Sequence, residues 1–238
     1  MSDSSTARDR QVERLRLAKA SLQERFAAAT PPRADTGERL LSGWSALDAQ
    51  LGGLGRGESL LVRAAPGAGG LALVGDWLTH AAAADHRVAL IDAEGSVAPE
   101  AALTSAPLWV VRTPHAWVAA DLLLRSGGFD LVAMVGLPPT GRGRVGPRVR
   151  RLLTEHGARL IVLGGRPPFR PDHSVSVSLA AVEWSASPVG DAPQRRTFRV
   201  ETAGASFEVT RADCSIDRLR ADPLAPDRRA SRGKRRKR

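Results

Sequence analysis

Between residues 40 and 211, short apolar runs alternate with stretches of helical periodicity, which predicts an α/β fold around a central sheet. The candidate strands are 59–64, 87–92, 108–112, 131–135 and 160–163, and helices are expected over 70–84, 116–126 and 146–155. Residues 174–184 alternate, with Val175, Val177 and Leu179 on one side, as a half-buried strand does. Segments 197–201 and 206–211, joined through Ala203-Gly204, predict a hairpin. Parallel strands first and an antiparallel pair last is a recurring way to complete such a sheet. No internal repeat is visible.

Ahead of this region, Val12, Leu15, Ala18, Leu22, Phe26 and Ala29 recur at helical spacing over 8–29, and Thr30-Pro31-Pro32 ends the pattern. A polar linker of about ten residues follows. Two expectations stand side by side. The helix either covers its own domain, or it is an arm that docks on a partner or a second copy, anchored by Leu15, Leu22 and Phe26. The chain thus divides into a helical arm (1–32), a core (33–216) and a tail (217–238).

Charge changes the picture at the far end only. The formal net charge is +10, but residues 218–238 hold ten basic residues against Asp222 and Asp227, so the rest of the chain carries about +2. With almost no apolar content, the tail is expected to be disordered. Arg232, Lys234, Arg235, Arg236, Lys237 and Arg238 are its densest cations. They suit non-specific, salt-dependent contact with nucleic acid or, alternatively, with an acidic partner surface. A hydrophobic content of 42% is ordinary for a folded protein. No apolar run approaches a membrane span, and MSDSSTARDR lacks the apolar core of a signal peptide, so a cytoplasmic chain is expected. A single cysteine, Cys214, leaves no internal disulfide and no cysteine-based zinc site. His80, His86, His115, His156 and His173 are scattered without ligand spacing and read as structural, as do Trp44 and Trp77.

One stretch has the setting of a phosphate-binding loop. Leu61 to Gly70 (LVRAAPGAGG) comes off a strand and opens a helix. Such loops follow G-x-x-x-x-G-K-[ST], with backbone amides around the phosphates and a lysine reaching the terminal ones. Here the closing positions are Gly69, Gly70, Leu71 and Ala72, preceded by Gly67, so both the lysine and the Mg²⁺-binding hydroxyl are missing. No register shift supplies the lysine, because the chain has none between Lys19 and Lys234. The apolar strand 129–136 ends in Val135-Gly136 where a metal-side aspartate is needed. With lysine, hydroxyl and aspartate all absent, neither a nucleotide cofactor nor phosphoryl chemistry is expected.

The lead-in Ser42-Gly43-Trp44-Ser45-Ala46-Leu47-Asp48 through Leu51-Gly52-Gly53-Leu54-Gly55-Arg56-Gly57-Glu58 resembles the S-T-G-x-x-x-L-D-x-x-L-G-G-G-L-P-x-G segment of RecA-fold proteins. Ala65 to Leu73 falls where that fold has its phosphate loop, and Val88-Ala89-Leu90-Ile91-Asp92-Ala93-Glu94 is similar to its F-I-D-A-E strand. Leu124 to Asp130 is similar to the segment before its second nucleotide motif. The resemblance runs over roughly residues 8–211 and implies a RecA-like core with a mostly parallel sheet, flanking helices and a C-terminal hairpin. It implies that Glu94 occupies the water-activating position, here a relic, and that Gly164-Gly165 stands at the usual switch. Among RecA-like proteins with eroded nucleotide motifs, the chain is most similar to the ImuA family of bacterial SOS mutagenesis.

That likeness implies a non-enzymatic accessory protein in translesion synthesis. Its partners would be an ImuB-like protein, an error-prone replicative polymerase, RecA itself and non-specific DNA at the nucleoid, with self-association through the N-terminal helix. Arg142, Arg144, Arg148, Arg150 and Arg151 lie where a first DNA-binding loop would sit, and Arg166, Phe169 and Arg170 where a second would. They suit phosphate contact and base stacking, or equally a solvated face and a loop phenylalanine packed on the core. Two alternatives are an antagonist that caps RecA filaments and a DNA-binding RecA-like protein with residual ATP binding.

Overall fold

The computed structural model describes residues 37–95, 97, 108–137, 145–185 and 192–212. The predicted N-terminal helix with Leu15, Leu22 and Phe26, the arginines Arg142 and Arg144, and the whole basic tail lie outside the described residues.

The described chain is α/β. Its elements are α1 (Ser45–Leu51), β1 (Ser59–Ala64), α2 (Gly70–Ala83), β2 (Val88–Asp92), β3 (Leu108–Arg112), α3 (Ala116–Arg125), β4 (Leu131–Val135), α4 (Val145–His156), β5 (Arg159–Leu163), β6 (His173–Ser185), β7 (Ala192–Glu201) and β8 (Ser206–Ala212). The strands form an eight-stranded sheet in the order β3-β2-β4-β5-β1-β6-β7-β8. The six strands from β3 to β6 are parallel, while β7 runs antiparallel to both of its neighbours. Strands β2 and β4 (VALID and LVAMV) are buried along their whole length, as a parallel strand covered on both faces must be.

The connections explain the layers. The crossover from β1 through α2 to β2 runs toward the β3 edge, whereas those through α3 to β4 and through α4 to β5 run back. Crossovers of one hand that travel in opposite directions must lie on opposite faces. Accordingly, Leu73, Val74, Trp77, Leu78 and Ala81 of α2 pack on Leu60, Val62, Leu90, Ala133 and Val135. Their spacing of three and four residues is what gives α2 one apolar stripe. On the other face, Ala120, Leu123 and Leu124 of α3 and Val149, Leu152 and Leu153 of α4 pack on Leu61, Ile91, Met134 and Val162. Each fully buried leucine or valine contributes about 1.5–3 kcal/mol. Trp44 and Trp77 are both buried, at 3% and 0% exposure.

A polar network closes the edge of the sheet where the parallel strands begin. Arg159, 3% exposed, donates from Nε to the Leu54 carbonyl at 2.8 Å and from Nη2 to the Glu38 carbonyl at 2.5 Å. This pins the segment that enters from the N-terminal side. Asp172 accepts the Ser59 amide and hydroxyl, both at 2.8 Å, and a bidentate pair of bonds from Arg150. Burial alone would raise the Asp172 carboxyl, but Arg150 and Ser59 outweigh it and hold it below the usual carboxylate range. Glu58 behaves alike: burial is outweighed by the Gly55 amide, His173 and Arg39.

Within the described residues, the predicted elements are found within a residue or two of their expected bounds, with two exceptions. The seven-residue α1 lies inside the lead-in and was not expected. Strand β7 begins at Ala192, five residues before the predicted hairpin, and pairs with β6 along almost its whole length through two register shifts. Among the described residues no helix is long and apolar enough to cross a membrane.

Candidate functional site

Because the loops after β1 and after β4 turn to opposite faces, the C-terminal edge of the sheet has a topological switch point between them. Ligands of open α/β sheets bind at such a switch point. The stretch that resembles a phosphate loop lies here. Gly69 caps α2 in a left-handed conformation with φ 95°, and Gly67 has φ 76°. The two glycines have different reasons to be there. A Cβ on Gly67 would meet nothing within 4 Å, so only its backbone angle calls for glycine. A Cβ on Gly69 would overlap the Phe198 ring. One residue on, a Cβ on Gly70 would sit 2.6 Å from both the Ala64 methyl and the Leu163 Cδ1. The loop is therefore packed from below by β5 and β7.

Leu71, at the lysine position, is 39% exposed in the first turn of α2, and Ala72 beside it is half-buried. Val135, at the metal-side position, is 1% exposed and belongs to the apolar cluster shared with α2. Its neighbour Gly136, at φ 68°, lies against Glu94: a Cβ there would be 3.2 Å from the Glu94 Cβ and Cγ. Glu94 itself is exposed at the end of β2. The structure thus brings Gly67, Gly69, Gly70, Leu71, Ala72, Val135 and Glu94 to one edge. The set offers backbone amides and a helix N-terminus, but no ammonium, hydroxyl or buried carboxylate to hold a metal-bound triphosphate. Among the described residues no three His, Cys, Asp or Glu gather as metal ligands.

The carboxylate that is buried here is Asp92, at 0% exposure. It accepts the Val97 amide at 3.0 Å and lies 3.8 Å from the Arg112 Nε, while Arg112 Nη2 donates to the Val97 carbonyl at 3.0 Å. This knot ties the end of β2 to β3. An aspartate closing an otherwise apolar strand is the sequence signal that could have found it.

Behind the loop, Phe198 stacks on Trp44 with centroids 5.6 Å apart, and the Trp44 indole donates to Asp76 at 2.6 Å. Arg211 of β8 donates to the same carboxylate at 2.7 Å. Burial pushes the Asp76 carboxyl up against the lowering pull of Trp44 and Arg211.

The expected nucleic-acid residues do not share one environment. Arg148, Arg150 and Arg151 stand on α4 rather than on a loop. Arg148 Nε lies 2.8 Å from Asp121, Arg150 is clamped by Asp172, and Arg151 lies 3.9 Å from Glu155. Arg166 and Arg170 are exposed on the strap between β5 and β6. Phe169 of that strap is not offered as a stacking platform: it is half-buried, edge-on to Trp117 at 6.1 Å. A groove of about 620 Å³ runs beside it, bordered by Pro147, Arg150, Pro168, Arg170 and Pro171. A cation that the sequence reading did not single out is Arg63, exposed near the end of β1.

Neither a protein-family model nor a curated protein sequence matches the chain.

Proposed function

We propose that this chain is a RecA-like accessory protein without catalytic activity, acting in DNA-damage-induced (SOS) mutagenesis and translesion synthesis as the ImuA family does. It brings polymerase partners and DNA together at the nucleoid and raises their effective concentration instead of carrying out chemistry. The observation that carries this is that Leu71 and Val135 stand at the lysine and metal-side positions that the resemblance assigns. The lysine, the hydroxyl and the metal-side aspartate are missing, while the lead-in and the glycine turns that build a phosphate loop remain. A sheet parallel through six strands and completed by an antiparallel pair is the architecture that the RecA resemblance implies. With Arg148 and Arg150 committed to carboxylates, the exposed Arg166 and Arg170 and the tail are the better candidates for DNA contact. The arm, through Leu15, Leu22 and Phe26, is the candidate for partner docking.

The test is damage-induced mutation frequency in a strain lacking this chain and complemented with variants. Deleting residues 1–32, or residues 218–238, is expected to lower mutation to the level of the empty strain, whereas Glu94→Gln is expected to leave it unchanged. Loss of mutation with Glu94→Gln would restore an enzymatic role and end the accessory proposal.

A further inference from the structure

Strand β6 keeps its parallel partner β1 only as far as Val177, which faces Ala64. Its remaining residues, 178–185, run on with β7 as their neighbour, at about 3.3 Å per residue a projection of roughly 25 Å past the C-terminal edge. Every residue from 178 to 184 except Val182 is exposed, so neither helix layer covers this length of β6. Near its end stands Trp184, 62% exposed and the most exposed large apolar side chain among the described residues.

The strands of the ribbon carry more basic than acidic residues. Segments 178–185, 192–199 and 208–212 carry Arg195, Arg196, Arg199 and Arg211 against Glu183 and Glu208. Glu183 and Val182, which precede Trp184, face Arg195 and Arg196 across the strand pair. The Arg195–Glu183 pair is 3.9 Å long with both side chains 63% exposed, and Arg199–Glu208 is about half exposed. Exposed pairs of this kind are worth at most about 1 kcal/mol and yield readily to a phosphate. Ala212, the cross-strand partner of Arg195, is followed directly by residues 213–238 and their cations, so the basic tail starts from this ribbon.

We propose that the ribbon end is a binding site for single-stranded nucleic acid, with Trp184 as the platform for one base and Arg195, Arg196 and Arg199 as phosphate contacts. An exposed indole among arginines recognises an unpaired base by stacking, and every base has a face to offer. A duplex keeps its bases stacked inside and presents only phosphates. This site rests on the DNA contact proposed above, but it is separate from the strap and from the glycine loop after β1.

The experiment uses the full chain and a labelled oligothymidine, followed by anisotropy at several salt concentrations. Trp184→Ala is expected to weaken binding about tenfold, since a base–aromatic stack is worth roughly 1–3 kcal/mol. Trp184→Phe should keep most of the affinity. Arg195→Glu with Arg196→Glu should lower the slope of log affinity against log salt by about 0.7 for each phosphate no longer neutralised. All three sites are exposed, so circular dichroism and melting should match the parent. A parent chain that binds no oligothymidine would refute the DNA contact itself. A parent that binds while Trp184→Ala binds equally well would overturn the ribbon site alone. Equal displacement of parent and Trp184→Ala by polyglutamate, with no difference toward the strand, would point to an acidic protein surface instead.

Discussion

Gly69→Ala is expected to lower unfolding stability by about 2–5 kcal/mol, as the sum of two costs. The first is conformational: φ of 95° is a left-handed backbone that an L side chain occupies at a cost of about 1–2 kcal/mol. The second is steric, because the new methyl overlaps the Phe198 ring. That ring is 2% exposed and backed by Trp44, so it has nowhere to retreat, and overpacking a filled core costs about 1–3 kcal/mol. Gly67→Ala meets no atom within 4 Å and carries the conformational cost alone. Urea denaturation of the two variants separates the terms. Adding Phe198→Leu to Gly69→Ala should return part of the loss, whereas adding it to Gly67→Ala should only make matters worse. If Gly69→Ala and Gly67→Ala fell equally, Phe198 would not be packed under the loop.

Asp172→Ala is expected to cost about 2–3 kcal/mol at neutral pH. Four bonds converge on this carboxylate, and the Ser59 amide it accepts is buried at 1% exposure and left unpaired by the change. It joins the first residues of β1 and β6 to the middle of α4. Its pH dependence has a definite sign. The carboxyl is held below its ordinary value in the fold, so its contribution is fully present above the unfolded value of about 3.9 and is lost as pH falls through the folded one. Glu58 adds to the same acid limb. Stability curves of the parent and Asp172→Asn should therefore lie apart at pH 7 and converge under acid. A constant gap down to low pH would mean that the clamp is not ionic.

These two predictions mark where the sequence stops being legible. Strands β1, β2 and β4 are visible as apolar runs, and α2, α3 and α4 as periodic stripes, because burial dictates those patterns one residue at a time. The glycines of the loop and the missing lysine are local facts too. The order of the strands is not local. Nothing along the chain announces that Phe198, more than a hundred residues downstream, lies under Gly69, or that Asp172 clamps Arg150. Both contacts depend on β6 lying beside β1 and β7 beside β6. The arginines of α4 look free in sequence because their carboxylates, Asp121 and Asp172, come from other elements. The early start of β7 was hidden by Pro193 and the polar run that follows it, which break the apolar alternation a strand is recognised by. Trp184 could be placed on a strand from its neighbours, but only the sheet shows that this strand outruns its parallel partner and leaves the indole exposed.

On the proposed reading, Leu71 and Val135 stand where a phosphate loop and its metal would need charge, so the protein should have no use for nucleotide. Isothermal titration of the full chain with ATP and Mg²⁺ tests this most directly. The prediction is no saturable heat up to millimolar nucleotide, in the parent and in Glu94→Gln alike. Micromolar binding that requires Mg²⁺ and is lost on Gly67→Ala would contradict it and make the glycine loop after β1 a working nucleotide site.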